Sequence, residues 1–145
     1  MAKLSVVLPI YNVEEYLQAT LDSLANQTFR DIEVVMVDDG STDGSAEIAA
    51  RYAESDKRFR LVQQENHGLG HARNTGARHA TGDLLMFVDS DDIIPHYAFS
   101  TIVRTLDHTG SDFATGKVSR IDARGVFPAP MHREAFSESV LRTNV

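Results

Sequence analysis

The residues best suited to chemistry close an apolar run: Leu84-Leu85-Met86-Phe87-Val88 leads directly into Asp89-Ser90-Asp91-Asp92. At a strand end residues two apart point the same way. One carboxylate can then face a hard cation while the other reaches an adjacent part of a ligand. Mg²⁺ and Mn²⁺ prefer oxygen ligands and commonly take only one or two carboxylates, completing the shell with water and phosphate oxygens. Three other polar turns close apolar runs: Pro9-Ile10-Tyr11-Asn12 after Leu4 to Ile10, Asp38-Asp39-Gly40-Ser41 after Ile32 to Val37, and Glu65-Asn66-His67-Gly68 after Phe59 to Val62. Carboxylates gathered at one edge repel one another unless a cation or hydrogen-bond donors compensate. Plainer readings stand beside these. Asp, Gly and Ser are what turns and helix caps use, so Asp38 to Ser41 fits a turn as well as a site. Asp89 to Asp92 could be a solvated loop, but two acidic turns aimed at one edge favour a site there.

Arg73 falls on the first turns of a helix that starts at the same edge, where a guanidinium could pair with a phosphate or brace Asp89. His67 and His71 lie four apart, but the Glu of an H-E-x-x-H site is absent and His67 precedes the helix, so a zinc reading fails. Gly68-Leu69-Gly70 begins a dinucleotide-type fingerprint; Arg73 stands where its third glycine belongs and the unit is not the first βα turn.

The elements that must position these turns follow from periodicity. Five strands are expected, at Leu4 to Ile10, Ile32 to Val37, Phe59 to Val62, Leu84 to Val88 and Phe113 to Val118. The central ones lack polar alternation, as parallel strands covered on both faces do. Val13, Leu17, Leu21 and Leu24 mark a first helix, with Asn12 and Glu15 spaced as a capping box. Ala46, Ala49, Tyr52 and Ala53 mark a second. Ala72, Gly76, Ala77 and Ala80 mark a third whose small-residue face allows close packing on a sheet, with Gly82 as its expected stop. Phe99, Ile102, Val103 and Leu106 mark a fourth, opened by Pro95 and closed by Gly110. The order β-α-β-α-β-α-β-α-β implies a doubly wound α/β domain with a mainly parallel sheet and helices on both faces. Ligands of such sheets sit outside the carboxyl ends of the strands, where the four turns lie. After Val118 the pattern dissolves into Asp122-Ala123-Arg124-Gly125 and Pro128-Ala129-Pro130, and this tail is expected to find no partner within the chain.

The 145 residues are 42% hydrophobic and 24% charged, the composition of one soluble domain. With no cysteine there is no disulfide framework, thiolate zinc site or cysteine nucleophile. A net charge of −7 has the wrong sign for a nucleic-acid binder. Residues 1–116 hold 9 basic and 18 acidic groups, whereas residues 117–145 hold 5 and 3. The first apolar run is too short for a signal peptide or a span, which points to a cytoplasmic protein, at most at the inner face of the membrane.

Five ordered blocks carry a resemblance over residues 4–92. Val7-Leu8-Pro9-Ile10-Tyr11-Asn12, Gln27-Thr28-Phe29, Val37-Asp38-Asp39-Gly40-Ser41-Thr42-Asp43, Asn66-His67-Gly68 with Ala72-Arg73-Asn74-Thr75-Gly76, and Phe87-Val88-Asp89-Ser90-Asp91-Asp92 resemble family 2 glycosyltransferases of GT-A fold. The resemblance implies an inverting, metal-dependent transferase that takes a sugar from a nucleotide diphosphate donor, a UDP-sugar first. On it, Pro9 and Tyr11 would line the base pocket, Asp39 would bond the base edge and Arg73 would contact the phosphate region. Asp89 would meet the ribose or donor sugar, Ser90 belongs to the same donor-binding turn, and Asp91 would hold Mn²⁺ or Mg²⁺ on the diphosphate. Ser111 to Gly116 and Pro130-Met131-His132-Arg133 resemble, less closely, transferase domains of bacterial proteins of teichoic-acid-type wall polymer synthesis, which implies a cell-envelope acceptor.

An inverting transfer needs a general base for the acceptor hydroxyl. In this family an acidic residue well beyond the D-x-D does that work, and Asp122, Glu134 and Glu138, the only acids after strand five, have no matching context. The expectation is a fragment: residues 1–118 form the donor half, residues 119–145 begin the acceptor side, and the base lies beyond Val145, with any peripheral membrane contact made by missing regions. Two other classes compete. A haloacid dehalogenase-type phosphatase would use Asp89 as nucleophile and Asp91 as acid/base, but places that loop on its first strand. A non-catalytic nucleotide-binding module would need no base.

Overall fold

The computed structural model describes residues 3–116, 119–122, 125–128 and 139–142. The strands β1 (Leu4–Ile10), β2 (Ile32–Asp39), β3 (Phe59–Gln64) and β4 (Leu84–Phe87) alternate with the helices α1 (Glu14–Ala25), α2 (Ser45–Ser55) and α3 (Leu69–His79). Then follow α4 (Ala98–Thr109) and the short strands β5 (Phe113–Thr115), β6 (Ser119–Asp122), β7 (Gly125–Pro128) and β8 (Ser139–Arg142). The main sheet runs β3-β2-β1-β4-β8-β5, and β1 to β4 are mutually parallel.

The chain lays β1, β2 and β3 outward in one direction and returns across β1 to add β4. Right-handed crossovers then put α1 and α2 on one face and α3 on the other. The buried side chains divide accordingly. Val34 and Met36 of β2 join Leu17, Leu21 and Leu24 of α1 and Phe99 and Leu106 of α4 in one core, while Val35 and Val37 meet Ala72 of α3 in another. The missing polar alternation in these strands thus reflects cover on both sides. Gly76 is the close-packing point expected of α3: a Cβ there would lie 2.2 Å from Val7 Cγ1.

Several expectations are corrected. The segment after Val118 does pair within the chain: β8 inserts antiparallel between β4 and β5, and β6 and β7 form an antiparallel hairpin. Short strands with little apolar patterning escape a periodicity search because their partners are distant in sequence. Of the fifth expected strand, residues 117–118 lie outside the described residues, as do Ala123, Arg124 and residues 129–138. The Asn12–Glu15 capping box does not form. Asn12 takes a left-handed backbone (φ 49°), and its Oδ1 accepts the Thr42 N–H at 2.8 Å. The α1 N-terminus is capped instead by the turn before α2: Val13 N–H donates to Ser45 Oγ at 2.9 Å and Glu14 N–H to Asp43 Oδ2 at 3.2 Å. Glu14 Oε2 returns the contact by accepting the Gly44 N–H at 2.6 Å. Nor does Gly82 stop α3, whose C-cap is Ala80. Gly82 is needed because a Cβ would meet the Lys3 carbonyl oxygen at 2.6 Å. Gly110 does close α4, with φ 66° and its N–H on the Leu106 carbonyl at 2.9 Å. No helix among the described residues is long and apolar enough to cross a membrane.

Candidate functional site

The point where the strand order reverses lies between β1 and β4, and in open α/β sheets the crevice forms outside the carboxyl ends there. A cleft of about 420 Å³ opens at that place. Six of the seven sequence-predicted donor residues, Pro9, Tyr11, Asp39, Asp89, Ser90 and Asp91, line it. Arg73 stands behind the lining and reaches it through Asp89, donating from a terminal guanidinium nitrogen to Asp89 Oδ1 at 2.7 Å. Of the two readings of Arg73, the brace on Asp89 is the contact present.

Asp39 is 3% exposed and its carboxylate is heavily used. Oδ1 accepts Gln64 Nε2 at 2.7 Å and the His67 N–H at 3.0 Å, and Oδ2 accepts the Gly68 N–H at 2.8 Å. Burial pushes this carboxyl up, but the His67, Gln64 and Gly68 bonds together outweigh it and hold the group below the usual carboxylate range. A carboxylate offers about four lone-pair sites, so Oδ2 keeps one acceptor position. The loop can approach because Gly40, at φ 75°, has no side chain: a Cβ would lie 2.9 Å from Asn66 N. Gly68 also takes a positive φ, 92°, as α3 begins.

Asp38, its neighbour, belongs to the turn. It accepts the Ser41 N–H at 3.2 Å and Gln63 Nε2 at 3.4 Å, and it does not line the cleft. The turn reading of Asp38 to Ser41 holds at Asp38, while Asp39 lines the cleft. Asn66, Leu69 and Ala72 line the cleft too, although the sequence singled out none of them as a contact. The signal available was their place in the polar turn after β3 and on the first turn of α3. The His67 and His71 rings meet at a tilt of 47° with centroids 4.8 Å apart, and no group of three or more His, Asp or Glu suited to a metal occurs among the described residues.

The turn after β4 is electronegative. Burial raises the Asp92 carboxyl above its ordinary value, and the charges of Asp91 and Asp89 raise it further. The carboxylate oxygens of this turn are donors of the kind that Mg²⁺ and Mn²⁺ prefer. Asp89 follows the fourth strand and is salt-bridged to Arg73, and nothing among the described residues favours a phosphatase nucleophile.

The family model described as "Glycosyl transferase family 2" matches residues 5–144. Glycosyltransferase GlyA of Streptococcus pneumoniae is 40% identical over 95% of this chain and 20% of its own length. A poly(ribitol-phosphate) beta-glucosyltransferase of Bacillus spizizenii is 37% identical over 91% of this chain and 21% of its own. The chain therefore spans about a fifth of these relatives. Residues 1–349 of S. aureus TarS superpose with a TM-score of 0.82 at 32% identity, covering 97% of this chain and 47% of that one. Their complex with UDP-GlcNAc gives 0.79 at 37% identity, covering 91% and 38%. A mannosyltransferase of Pyrobaculum calidifontis in complex with GDP-Man and Mn²⁺ gives 0.72 at 30% identity, covering 82% and 36%.

Proposed function

The chain belongs to glycosyl transferase family 2, and from that premise we propose that its cleft binds a nucleotide diphosphate sugar whose sugar passes, with inversion, to a hydroxyl of a cell-envelope polymer of teichoic-acid type. The observation that carries this is the convergence of Pro9, Tyr11, Asp39, Asp89, Ser90 and Asp91 on one cleft at the sheet's switch point. The similarity to a poly(ribitol-phosphate) glucosyltransferase supports the acceptor class, and the UDP-GlcNAc complex of a similar structure supports a UDP-sugar as donor.

Residues 1–118 supply the donor half. Tyr11, 48% exposed, offers a ring face at the mouth of the cleft, and Pro9 fixes the backbone below it. The free acceptor position of Asp39 takes an N–H of the base edge. Arg73 holds Asp89 against the ribose or sugar hydroxyls. Asp91 would hold Mn²⁺ or Mg²⁺ with the diphosphate oxygens, and the bound ion would neutralise the charge that grows as the glycosidic bond breaks. The acceptor hydroxyl attacks from the opposite face of the sugar, and an acidic residue of the acceptor region takes its proton. The site is expected in the cytoplasm, where nucleotide sugars are made.

The test is a thermal-shift and calorimetric series with UDP-, GDP-, CDP- and dTDP-sugars, each with and without Mn²⁺. UDP-sugar binding that strengthens with Mn²⁺ and weakens in Asp91→Asn is expected. No nucleotide binding, or UDP binding indifferent to both Mn²⁺ and Asp91→Asn, would overturn the reading.

A further inference from the structure

The turn that carries Asp89, Ser90 and Asp91 belongs to residues 88–97, which form neither strand nor helix between β4 and α4. Backbone bonds anchor its ends: Val88 N–H reaches the Val7 carbonyl at 3.1 Å, the His96 carbonyl accepts the Thr28 N–H at 2.8 Å and the Pro95 carbonyl accepts the Ala98 N–H at 2.9 Å. Between those anchors Asp92 N–H donates to the Asp89 carbonyl at 3.1 Å. How this middle stretch is held sets where Asp91 lies.

Side chains of α1 and the turn after it add further bonds. Thr20 Oγ1 donates to the Ser90 carbonyl at 2.9 Å, in a fully buried contact. Ser23 Oγ accepts the Ile94 N–H at 3.1 Å. Gln27, also fully buried, donates from Nε2 to the Pro95 and Ile94 carbonyls at 2.9 and 3.2 Å and accepts the Phe99 N–H on Oε1 at 3.2 Å. Thr20 and Ser23 lie three apart on one face of α1, and Gln27 follows in the turn after it. They form a polar stripe beside the apolar stripe of Leu17, Leu21 and Leu24.

We propose that Thr20, Ser23 and Gln27 are positioning residues for donor binding: a polar stripe, buried at Thr20 and Gln27 and half-buried at Ser23, that sets the metal-binding turn from behind, without touching the ligand. Thr20 acts nearest the chemistry, because its acceptor is the carbonyl of Ser90, between Asp89 and Asp91. Burial makes the arrangement exacting, since an unpaired buried carbonyl has no water to turn to. The proposal rests on the donor-site reading above and adds to it the machinery that holds the turn.

The base pocket and the metal turn are held by different elements, so the test separates them. Uridine alone probes Pro9, Tyr11 and Asp39 and, through its ribose, at most Asp89; UDP with Mn²⁺ adds Asp91 and the diphosphate. Thr20→Val keeps the shape and removes the hydroxyl, and Thr20→Ser restores it. In Thr20→Val the affinity for UDP with Mn²⁺ is expected to fall about 5- to 10-fold, with a smaller loss for uridine and Thr20→Ser close to wild type. Ser23→Ala is expected to lower the affinity for UDP with Mn²⁺ by less, and hydrogen exchange at the Ile94 amide to quicken. Thr20→Val binding UDP with Mn²⁺ as tightly as wild type would overturn the inference. So would equal losses for uridine and UDP, the mark of a general packing defect. Wild-type protein whose UDP affinity ignores Mn²⁺ would instead overturn the donor-site reading, and this inference with it.

Discussion

Asn at position 39 would keep the shape of Asp39 and invert one donor–acceptor relation. Whichever way the amide turns, its Nδ2 replaces either Oδ1, facing Gln64 Nε2 and His67 N–H, or Oδ2, facing Gly68 N–H. The second choice opposes one donor instead of two, so it is the orientation expected. It gives up the Gly68 bond and presents a donor to the cleft where the carboxylate kept its last acceptor site. Uracil and guanine offer an N–H at the pairing edge, whereas cytosine offers a bare ring nitrogen. A hydrogen bond to a charged acceptor is worth about 1.5–3 kcal/mol, which at roughly 1.4 kcal/mol per decade is about a 10- to 150-fold loss for UDP and GDP. CDP should lose far less. Calorimetry of UDP, GDP and CDP at fixed Mn²⁺, on wild type and Asp39→Asn, measures this directly, with thermal unfolding to establish that the variant is folded. Equal losses for all three nucleotides would refute the base-edge argument and leave Asp39 only the task of holding residues 66–68.

Other consequences are equally open to measurement. The Arg73–Asp89 pair is 37% and 45% exposed, so Arg73→Ala should cost at most about 1 kcal/mol of stability in urea while cutting UDP affinity at least as much as Asp89→Asn does; a large stability loss with intact binding would contradict this. Gly76→Ala places a methyl against Val7 and should destabilise by about 1–3 kcal/mol, with part of the loss recovered in the Val7→Ala double variant. Burial pushes the Glu33 carboxyl up, but bonds from Ser5, Thr81 and Lys3 together bring it down from 4.5 to about 2. Its folded value lies below its unfolded one, so its stabilisation is complete above about pH 4.5 and lost as pH falls towards 2, worth about 1–2 kcal/mol once solvent screening is allowed for; Glu33→Gln should flatten that part of a stability-versus-pH curve.

What the sequence made legible was whatever repeats at short range or closes a strand. The runs from Leu4, Ile32, Phe59 and Leu84 are strands, the four helices lie where their apolar faces place them, and the residues just past the strands line the cleft. Contacts between distant segments were not legible. Strand β8 pairs with β4 across more than fifty residues, and no local pattern announces that. The Asn12–Glu15 spacing suggested a cap that the turn before α2 provides instead, because Ser45 and Asp43 reach the same N–H groups from outside the helix. Thr20 went unremarked on α1 and Gln27 stood out only within the Gln27-Thr28-Phe29 block; only the turn lying against them makes them interior.

Asp38 and Asp39 show how far strand alternation alone can carry such a reading. Val34 and Met36 face the core shared with α1, and Val35 and Val37 face α3. Carried one period further, Asp38 continues the first face and Asp39 the second. Asp39 must therefore emerge beside the segment that opens α3, where it clamps His67 and Gly68. Asp38 must emerge on the side of α1 and α2, where it closes the turn at Ser41. The parallel register repeats the division on β3, with Gln63 opposite Asp38 and Gln64 opposite Asp39, and each glutamine bonds the aspartate it faces. Two identical neighbouring residues thus acquire different work, one at the cleft and one in the turn, from the period of the strand that carries them. A one-residue shift in the register of β2 would exchange their surroundings, turning Asp38 to the cleft and Asp39 to the turn, and would turn Val35 and Val37 away from α3.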